Sequence, residues 1–449
     1  MLPVTTTRPT ATQADASPAL WRNWGRTQSA VPTEVIAVRD ADDVAAAVHR
    51  ARRDGITVKA AGSGHSFSAI AVPDGISLDL GAMTGLVHAD RERSRVTVRA
   101  GTPLHAMPAI LEPLGLGMPN LGDVDAQTLA GATSTGTHGT GLGFGGLATQ
   151  IVGVTLVTGT GEVLTVGDDD PATLQAVALG LGALGVLTEI TLQCVPAFCL
   201  EAVEAALQVD DAAADFDDAV RRHDHHEFYW FPHTDVALTK TNTRMPAGTP
   251  AQGPGRVARF LSDEVLSNGV FAAMCEAGAR FPGVAPSLAK VAGAAQSGRR
   301  FVDASNAVFV SQRRVRFREM EYAIPLEEVH DAVDEIRMLI DRRGWRISFP
   351  IEVRAAPADD LMLSTASGRD SGYIAVHRYH RDAPDDYFTS VEEILTRRGG
   401  RPHWGKMHTR TAEHLRTVYP RFDEFLAVRD RLDPDRVFAN AYLTQVLGR

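Results

Sequence analysis

A chain of 449 residues exceeds what one hydrophobic core usually serves, so the sequence predicts at least two packed units and excludes a single small domain. Apolar residues make up 44% and charged residues 22%, an ordinary globular mixture, so most of the chain should fold. The formal net charge of -10 opposes a surface that collects nucleic-acid phosphates, and we expect no nucleic-acid partner.

Residues 1–20 are rich in Thr, Ala and Pro but contain no apolar core of signal-peptide length, and we predict that they form a flexible leader. No uncharged run is long enough to span a bilayer, so no transmembrane segment is expected. The three cysteines, Cys194, Cys199 and Cys275, form no CxxC pair, and their odd number fits a reducing compartment. We therefore expect a cytoplasmic protein and leave peripheral contact with a membrane open.

The pattern from residue 35 to residue 196 predicts alternating helices and strands. Asp40 can cap a helix that Gly55 ends, and residues 57–61 then form a short apolar strand directly before a glycine loop. Further strands are expected at residues 76–80 and 95–100.

A predicted helix and a predicted hairpin complete this first unit, which ends by about Pro196. Thr102 and Pro103 are placed as the N-cap and first residue of a helix that ends near Gly115. The glycines at 159 and 161 lie between two apolar runs and predict a hairpin.

The sequence changes in texture after Pro196, and a second domain is predicted from residue 197 to residue 402. It should hold a helix at 210–222, aromatic strands around 228–231, and a strand running into Ala323 before a helix that opens near Pro325. The last segment, residues 403–449, is predicted to be mostly helical.

The loop at residues 62–67 reads Gly-Ser-Gly-His-Ser-Phe and directly follows a predicted strand. Glycines let the backbone approach a ligand closely, and exposed N–H groups can form a nest for an anion such as a pyrophosphate. Phe67 stands where the third glycine of a dinucleotide fingerprint belongs, which disfavours a Rossmann NAD site. A plain turn is the alternative.

A second glycine-rich stretch, residues 131–146, combines glycine with Thr, Ser and His. Its helix and strand propensities are both poor, so a ligand that orders it is the favoured interpretation and a long flexible loop the alternative. The special backbone extends upstream into residues 120–123, further than a simple connector needs.

These two segments carry a family resemblance. Residues 60–67 resemble the pyrophosphate loop of FAD enzymes of the vanillyl-alcohol-oxidase type, and residues 131–141 resemble the second FAD loop of that family. From about Trp21 to its end the chain is similar to the sugar-1,4-lactone oxidases and dehydrogenases, with alditol oxidase as a relative. The resemblance implies an α+β, two-domain FAD-binding fold: an FAD-binding domain at 21–196, a substrate or cap domain at 197–402, and a segment at 403–449 that packs back on the FAD domain.

The resemblance also implies that FAD is attached covalently through His65, which would bond to the 8-methyl carbon of the flavin; a histidine that merely hydrogen-bonds is the alternative. No cysteine lies near the second loop, so one attachment is expected, and His138 is expected to pack or to contact FAD rather than to form a second tether. The implied cofactor-binding residues are Ala61, Gly62, Ser63, Gly64, His65, Ser66, Gly122, Asp123, Thr128, Gly131, Ala132, Ser134, Thr135, Thr137, His138, Gly139, Val186 and His403.

Residues 346–354 alternate strictly, which places Glu352 and Arg354 on one face of a strand. A solvated face would show the same alternation. The segment Pro-Ile-Glu-Val-Arg resembles the active-site strand of the lactone and alditol oxidases, which implies that Glu352 orients the substrate or accepts its hydroxyl proton. Arg354 would hold the substrate and lower the pKa of Glu352.

Three further residues are candidates for the catalytic site. Residues 403–406 resemble the His-Trp-x-Lys segment of lactone oxidases, so Lys406 is expected to stabilise the reduced flavin, with a solvated surface lysine as the alternative. His377 alternates away from apolar neighbours and could line the pocket. Thr128 matches a hydroxyl residue that alditol oxidases carry near flavin and substrate.

The resemblance implies hydride transfer from an aldono-1,4-lactone to flavin N5. Oxidation at C2 of L-gulono-, L-galactono- or D-arabinono-1,4-lactone would give an ascorbate-type product, with oxygen or a quinone or cytochrome as the electron acceptor. A polyol oxidase and a non-catalytic flavin-binding protein are the alternatives. A metal hydrolase could be argued from two histidine clusters, but neither has the HExxH arrangement, so no metal is expected. The clusters are His223, His225 and His226, and His403, His408 and His414.

Overall fold

The structure is a computed structural model that describes residues 20–254, 268–294, 298–311 and 313–449. Of the predicted leader at 1–20, all but the last residue lies outside the described residues. The strands are β1 Trp21–Arg22, β2 Ser29–Ala30, β3 Glu34–Ala37, β4 Val58–Ala61, β5 Ile76–Asp79, β6 Leu86–Asp90, β7 Arg95–Arg99, β8 Leu116–Gly117, β9 Ile151–Val157, β10 Val163–Val166, β11 Val186–Gln193, β12 Val195–Pro196, β13 Cys199–Gln208, β14 His225–Trp230, β15 Val236–Arg244, β16 Arg299–Ala304, β17 Phe317–Pro325, β18 Ile351–Ala356, β19 Ser371–Tyr379 and β20 Arg401–Pro402. The α-helices are Ala41–Asp54, Met107–Leu111, Leu129–Ser134, Pro171–Val177, Val209–Ala214, Phe216–Arg222, Phe271–Arg280, Ala285–Ala294, Ser305–Phe309, Val329–Arg343, Tyr387–Arg397, Ala412–Val418, Phe422–Leu432 and Ala441–Leu447.

The two larger sheets of the first half are a parallel sheet in the order β3-β5-β4 and an antiparallel sheet in the order β10-β9-β11-β7-β6, and β1-β2 and β8-β12 form two small antiparallel pairs. The helix Ala41–Asp54 lies against the parallel sheet. The Asp40 side chain accepts a hydrogen bond from the Asp43 N–H, and Gly55 ends the helix at φ 66°. Both caps and the hairpin between β9 and β10 are confirmed.

The single helix predicted after Thr102 is wrong. Residues 104–114 form a 3₁₀ turn, the short helix Met107–Leu111 and a second 3₁₀ turn that Gly115 ends at φ 71°. Thr102 caps nothing here, because its hydroxyl donates to the Arg99 carbonyl at 2.6 Å. Pro113 has no N–H to donate and so cannot continue the regular helix.

An antiparallel sheet in the order β16-β13-β15-β14-β18-β19-β17-β20 forms the second half. One face is apolar and packs on the helices Val329–Arg343 and Tyr387–Arg397, with Phe228, Val353 and Ile374 in the shared core. The other face carries the charged side chains described below.

Two predicted elements of this half have different bounds. The strand predicted from residue 346 begins at Ile351, because the groups before it bond elsewhere: the Ile347 N–H donates to His233, and Pro350 has none. The helix predicted at 210–222 is two helices that meet at Asp215. That break lets apolar residues of both helices reach the same core, namely Val209, Ala212, Ala213, Phe216 and Val220.

Hydrogen bonds join the second glycine-rich stretch directly to two strands of the large sheet. The Gly141 N–H donates to the Ala355 carbonyl of β18 at 2.9 Å. The Thr140 hydroxyl donates to the His226 carbonyl of β14 at 2.6 Å and accepts from the Ala355 N–H at 3.2 Å. These bonds fix residues 140–141 against the middle of the large sheet.

The C-terminal helices contribute side chains to the core of the first half. Phe422, Phe425 and Leu443 share one apolar cluster with Val96 and Ile190 of the antiparallel sheet. The domain boundaries given above stay predictions. Within the described ranges, every helix is too short or too polar to cross a lipid bilayer.

Asn440 ties the last helix to the segment after the first glycine loop. Its side-chain oxygen accepts from the Leu443 N–H at 2.9 Å, and its side-chain amide faces the carbonyls of Ala69, Ile70 and Val72 at 3.0–3.2 Å. Asn440→Ala is expected to lower the free energy of unfolding by about 3 kcal/mol, because it removes a cap and the amide donor that serves the carbonyls of Ile70 and Val72.

The matched control is Asp170→Ala, which removes only the cap on the Thr173 N–H and should cost about 1 kcal/mol. Calorimetric unfolding of the two variants measures the difference. Equal shifts in the unfolding midpoint would contradict the proposed role of the long-range bonds.

Candidate active site

The two glycine-rich segments meet around one cavity of about 290 Å³. A methyl group added to Gly62 would lie 2.6 Å from the Thr128 hydroxyl oxygen, and one added to Gly131 would lie 2.9 Å from the same atom. The first contact shows that Gly62 can lie this close to Thr128, just ahead of the second segment, only because it has no side chain, whereas the second contact lies within the capped start of the helix Leu129–Ser134. The predicted cofactor residues that line this cavity are Ala61, Gly62, Ser63, Gly64, His65, Ser66, Thr128, Gly131, Ser134, Thr135 and Val186.

A second cavity of about 480 Å³ adjoins the first, and the two share His65, Ser66, Gln127 and Thr135 as lining residues. The predicted site residues on the wall of this second cavity are His65, Ser66, Gly122, Asp123, Thr135, Thr137, His138, His403 and Lys406. The first cavity, lined by glycines 62, 64 and 131, is called the glycine cradle below, and the second is lined by charged groups. Together they fit a dinucleotide in the cradle with a substrate beside it in the second cavity.

His65 lies where the two cavities join. Its ring stacks on Trp24 with 5.6 Å between ring centroids, and burial lowers the pKa of the imidazole from its usual value. A neutral imidazole has a free lone pair, which is the form needed for attack on carbon. The position and protonation state of His65 both fit a covalent tether.

Two predicted cofactor residues lie behind the cavity walls. Ala132 is fully buried in the apolar core of the first half. Gly139 is packed so closely that an added methyl group would meet the Leu121 carbonyl oxygen at 2.4 Å. These two residues shape the second glycine-rich segment from behind and do not face the cavities.

Lys406 is held between two buried glutamates of β17. Its ammonium forms an ion pair with Glu319 and lies 3.7 Å from a carboxylate oxygen of Glu321. Burial alone would lower the pKa of Lys406, but the two carboxylates outweigh it and raise the pKa. The alternative of a solvated surface lysine is wrong.

Glu352 and Arg354 share a face of β18, as predicted, and the alternative of a wet sheet face is wrong because each is only 7% exposed. Arg354 forms an ion pair with Glu352 and donates to Glu227 at 2.8 Å. Tyr229 donates its hydroxyl proton to Glu352 at 3.0 Å. Arg354 is thus enclosed by carboxylates, which raise its pKa well above the usual value against the effect of burial.

Arg354 does lower the pKa of Glu352, as expected, but the net shift is upward. Burial raises that pKa, the carboxylates of Asp123 and Glu227 add to the effect, and Arg354 only partly opposes it. The pKa of Asp123 moves the other way: burial opposes its ionisation, but the guanidinium groups of Arg313 and Arg354 hold its pKa well below the usual range.

His377 is fixed by a 2.9 Å contact between its Nδ1 and the Pro350 carbonyl oxygen, and its Nε2 lies 3.4 Å from Glu319. Glu352, Arg354 and His377 are absent from the lining of the second cavity and lie directly behind it. Glu319 connects the cavity to the residues behind it. It lines the cavity, and one of its carboxylate oxygens lies within 4.8 Å of a carboxylate oxygen of Glu352 and of a ring nitrogen of His377.

Sequence reasoning missed four charged residues of this site. Glu319 and Glu321 lie on β17, Glu227 on β14, and Arg313 in the loop before β17, where it pairs with Asp123 at 2.6 Å. The alternation of Arg318, Glu319, Met320 and Glu321 was available as a signal, but it is also the pattern of an ordinary strand with one solvated face.

Two groups in the described residues combine histidine and carboxylate atoms within 4.8 Å of one another: His138, Glu321 and His403, and Glu319, Glu352 and His377. The ammonium of Lys406 pairs with one glutamate of each group and already supplies a compensating positive charge. Burial lowers the pKa of His403 to about 3, so that ring is neutral. The expectation that no metal binds stays a prediction.

Comparison with known proteins agrees with this architecture. A family model described as FAD binding domain matches residues 32–167, and the solved structure of cholesterol oxidase from B. sterolicum superposes with a TM-score of 0.80 over 99% of this chain and 100% of its own, at 18% identity. The latter likeness shows the fold alone. Fold and cofactor domain together define a two-domain FAD-dependent oxidoreductase.

A second family model, D-arabinono-1,4-lactone oxidase, matches residues 190–446, and the chain belongs to that family. It is 43% identical to L-gulono-1,4-lactone dehydrogenase of Mycobacterium tuberculosis, over 96% of this chain and 99% of the relative. It is 31% identical to L-gulonolactone oxidase of Bos taurus, over 95% of this chain and 98% of the relative.

The glycine cradle gives a direct test of FAD binding. Gly62→Ala places a methyl group 2.6 Å from the Thr128 hydroxyl, so Thr128 or the first glycine loop must shift in the cavity wall and FAD occupancy should fall at least tenfold. The ratio of flavin to protein absorbance in purified protein measures the occupancy. Gly143→Ala is the matched control, since a methyl group there meets no atom within 4 Å. Equal occupancy in the two variants would contradict the cradle.

Proposed function

We propose that this enzyme oxidises the C2 hydroxyl of an aldono-1,4-lactone and holds its FAD covalently through His65. The observation that carries the proposal is the second cavity, which shares His65 with the glycine cradle and has the fixed ammonium of Lys406 on its wall. The names of the relatives at 43% and 31% identity support a lactone as the substrate.

Bound FAD supplies the acceptor for the hydride that leaves the substrate carbon. The residues of the chain supply charge and a route for the hydroxyl proton. Lys406 places a permanent positive charge on the cavity wall, which stabilises negative charge that develops nearby during reduction. Its position is fixed before the reaction by Glu319 and Glu321, so little reorganisation is needed.

The hydroxyl proton is assigned to Glu352. Its raised pKa makes it a better proton acceptor than an ordinary carboxylate, and Tyr229 and Arg354 hold its orientation. Glu319 lines the cavity in front of Glu352 and can accept a hydrogen bond from the substrate, while its pairing with Lys406 keeps it ionised and leaves the proton to Glu352. Asp123 and Arg313 line the same cavity as an acceptor and a donor for the remaining hydroxyl groups of a lactone.

The covalent bond is tested by acid precipitation. Denatured wild-type protein should carry its yellow flavin into the pellet, whereas His65→Ala should release it into the supernatant, because the bonding nitrogen is gone. His105→Ala changes another histidine on the wall of the second cavity and should keep the flavin in the pellet. Free flavin from the wild type would reject the tether.

The catalytic assignments are tested by anaerobic reduction. Glu352→Gln and Lys406→Met should remain yellow but lose roughly 10²–10³-fold in the rate at which L-gulono-1,4-lactone bleaches the flavin. Glu201→Gln, which removes only a surface ion pair with Arg300, should reduce normally.

Normal rates in both catalytic variants would overturn the assignments. An alditol compared with the lactone tests the polyol alternative, and reoxidation by oxygen compared with a quinone or cytochrome identifies the electron acceptor. The relatives carry both the oxidase and the dehydrogenase name.

A further inference from the structure

In strand β17 two glutamates alternate with apolar residues. Met320 and Tyr322 point into the core of the second half, and Glu319 and Glu321 point to the opposite face at 5% and 4% exposure. Burying an ionised carboxylate is strongly unfavourable unless it is paired. Both glutamates are paired with the same cation, Lys406.

Each glutamate also contacts a histidine from a different element. Glu319 lies 3.4 Å from His377 of β19, and Glu321 lies 3.4 Å from His138 of the second glycine-rich segment. The pair therefore joins the strands behind the cavity to the segment beside the cofactor cradle. Lys406 sits between these two contacts.

We propose that Glu319 and Glu321 are the positioning residues of Lys406, and that the two carboxylates together keep its ammonium charged and directed into the second cavity. The proposal adds to the function proposed above, in which Lys406 stabilises charge on the reduced cofactor. It gives a reason for two adjacent buried acids beside a single cation: either acid alone would balance the charge, and both are needed to fix its place.

The other charged or titratable groups near Lys406 come from several elements. They are Glu352 of β18, His377 of β19, His138 of the second glycine-rich segment, Asp123 of the preceding loop and His403 of its own segment. Burial raises the pKa of Glu319, but Lys406 and His377 outweigh this and bring it to about 2, so Glu319 is ionised at every working pH. The ion pairs of the Lys406 ammonium are with Glu319 and Glu321, and none of the five groups named above forms one with it.

The first test needs no flavin. Amine acylation followed by peptide mass spectrometry measures the unprotonated fraction of each lysine as the pH is raised. In the wild type Lys406 should stay unreactive to about pH 9. In Glu319→Gln/Glu321→Gln burial is no longer opposed, so Lys406 should lose its proton at least tenfold more readily and react at lower pH. Lys240, a half-buried lysine 3.8 Å from Glu227, is the internal control and should be unchanged.

The second test uses the flavoprotein. Sulfite adds reversibly to oxidised flavins, and nearby positive charge favours the adduct, so its affinity reports the charge on Lys406. The double variant should show a sulfite affinity that falls about tenfold as the pH rises from 6 to 9, beyond any change in the wild type. Adding Lys406→Met should remove this pH-dependent step. Glu321→Gln alone should show a smaller step and serves if the double variant does not fold.

The outcomes separate the two proposals. Unchanged acylation of Lys406 in the glutamate variants, or a sulfite step that survives Lys406→Met, would overturn the positioning role. Altered acylation with no bleaching of the wild type by any lactone would sustain the positioning role and reject the proposed function.

Discussion

The active site depends on the pairing of buried charges on one face of the large sheet. Strands β14, β17 and β18 carry Glu227, Glu319, Glu321, Glu352 and Arg354 on that face. Unpaired, any of these would destabilise the fold by several kcal/mol. The cations Lys240, Arg313, Arg354 and Lys406 are spaced among the acids, so that each acid has a close partner of opposite charge.

Pairing does not make these groups equivalent. Glu319 is held ionised by Lys406, whereas burial and neighbouring acids raise the pKa of Glu352. The carboxylates of Glu319 and Glu352 therefore differ in their affinity for a proton, although an oxygen of one lies within 4.8 Å of an oxygen of the other. Alcohol oxidation needs both a group that accepts a proton and a group that keeps a fixed charge. The raised pKa suits Glu352 to the first role, and the lowered pKa suits Glu319 to the second.

The cofactor cradle could be predicted from the sequence because it depends on local backbone chemistry. Glycine-rich segments let the backbone approach a ligand closely, and residues 62–66 do meet Gly131, Ser134 and Thr135 around one cavity. The alternation at Glu352 and Arg354 was equally readable, since a strand period assigns the face directly. Helix caps at Asp40 and Gly55 followed from the same local rules.

What could not be predicted depends on contacts between distant strands. The position of Glu319 beside Lys406 requires the chain reversal that brings residues 401–402 against β17, and no periodicity reports that pairing. The net rise in the pKa of Glu352 was hidden for the same reason: the effect of the neighbouring Arg354 is visible in sequence, but the burial of Glu352 and the carboxylates of Asp123 and Glu227, which come from other elements, are not. The helix predicted after Thr102 is broken because Pro108 and Pro113 lie inside it, and a prediction based on the N-cap alone does not take these prolines into account.

The bonds from residues 140–141 to β14 and β18 have a consequence for how substrate enters. They fasten the second glycine-rich stretch to the middle of the large sheet through the Thr140 hydroxyl and the Gly141 N–H, and Gly141 is so tightly enclosed that an added methyl group would meet the Asp224 carbonyl oxygen at 2.2 Å. A clamshell opening of the two halves would have to break these buried bonds together. These bonds therefore favour a route for the substrate that leaves the two halves of the molecule joined.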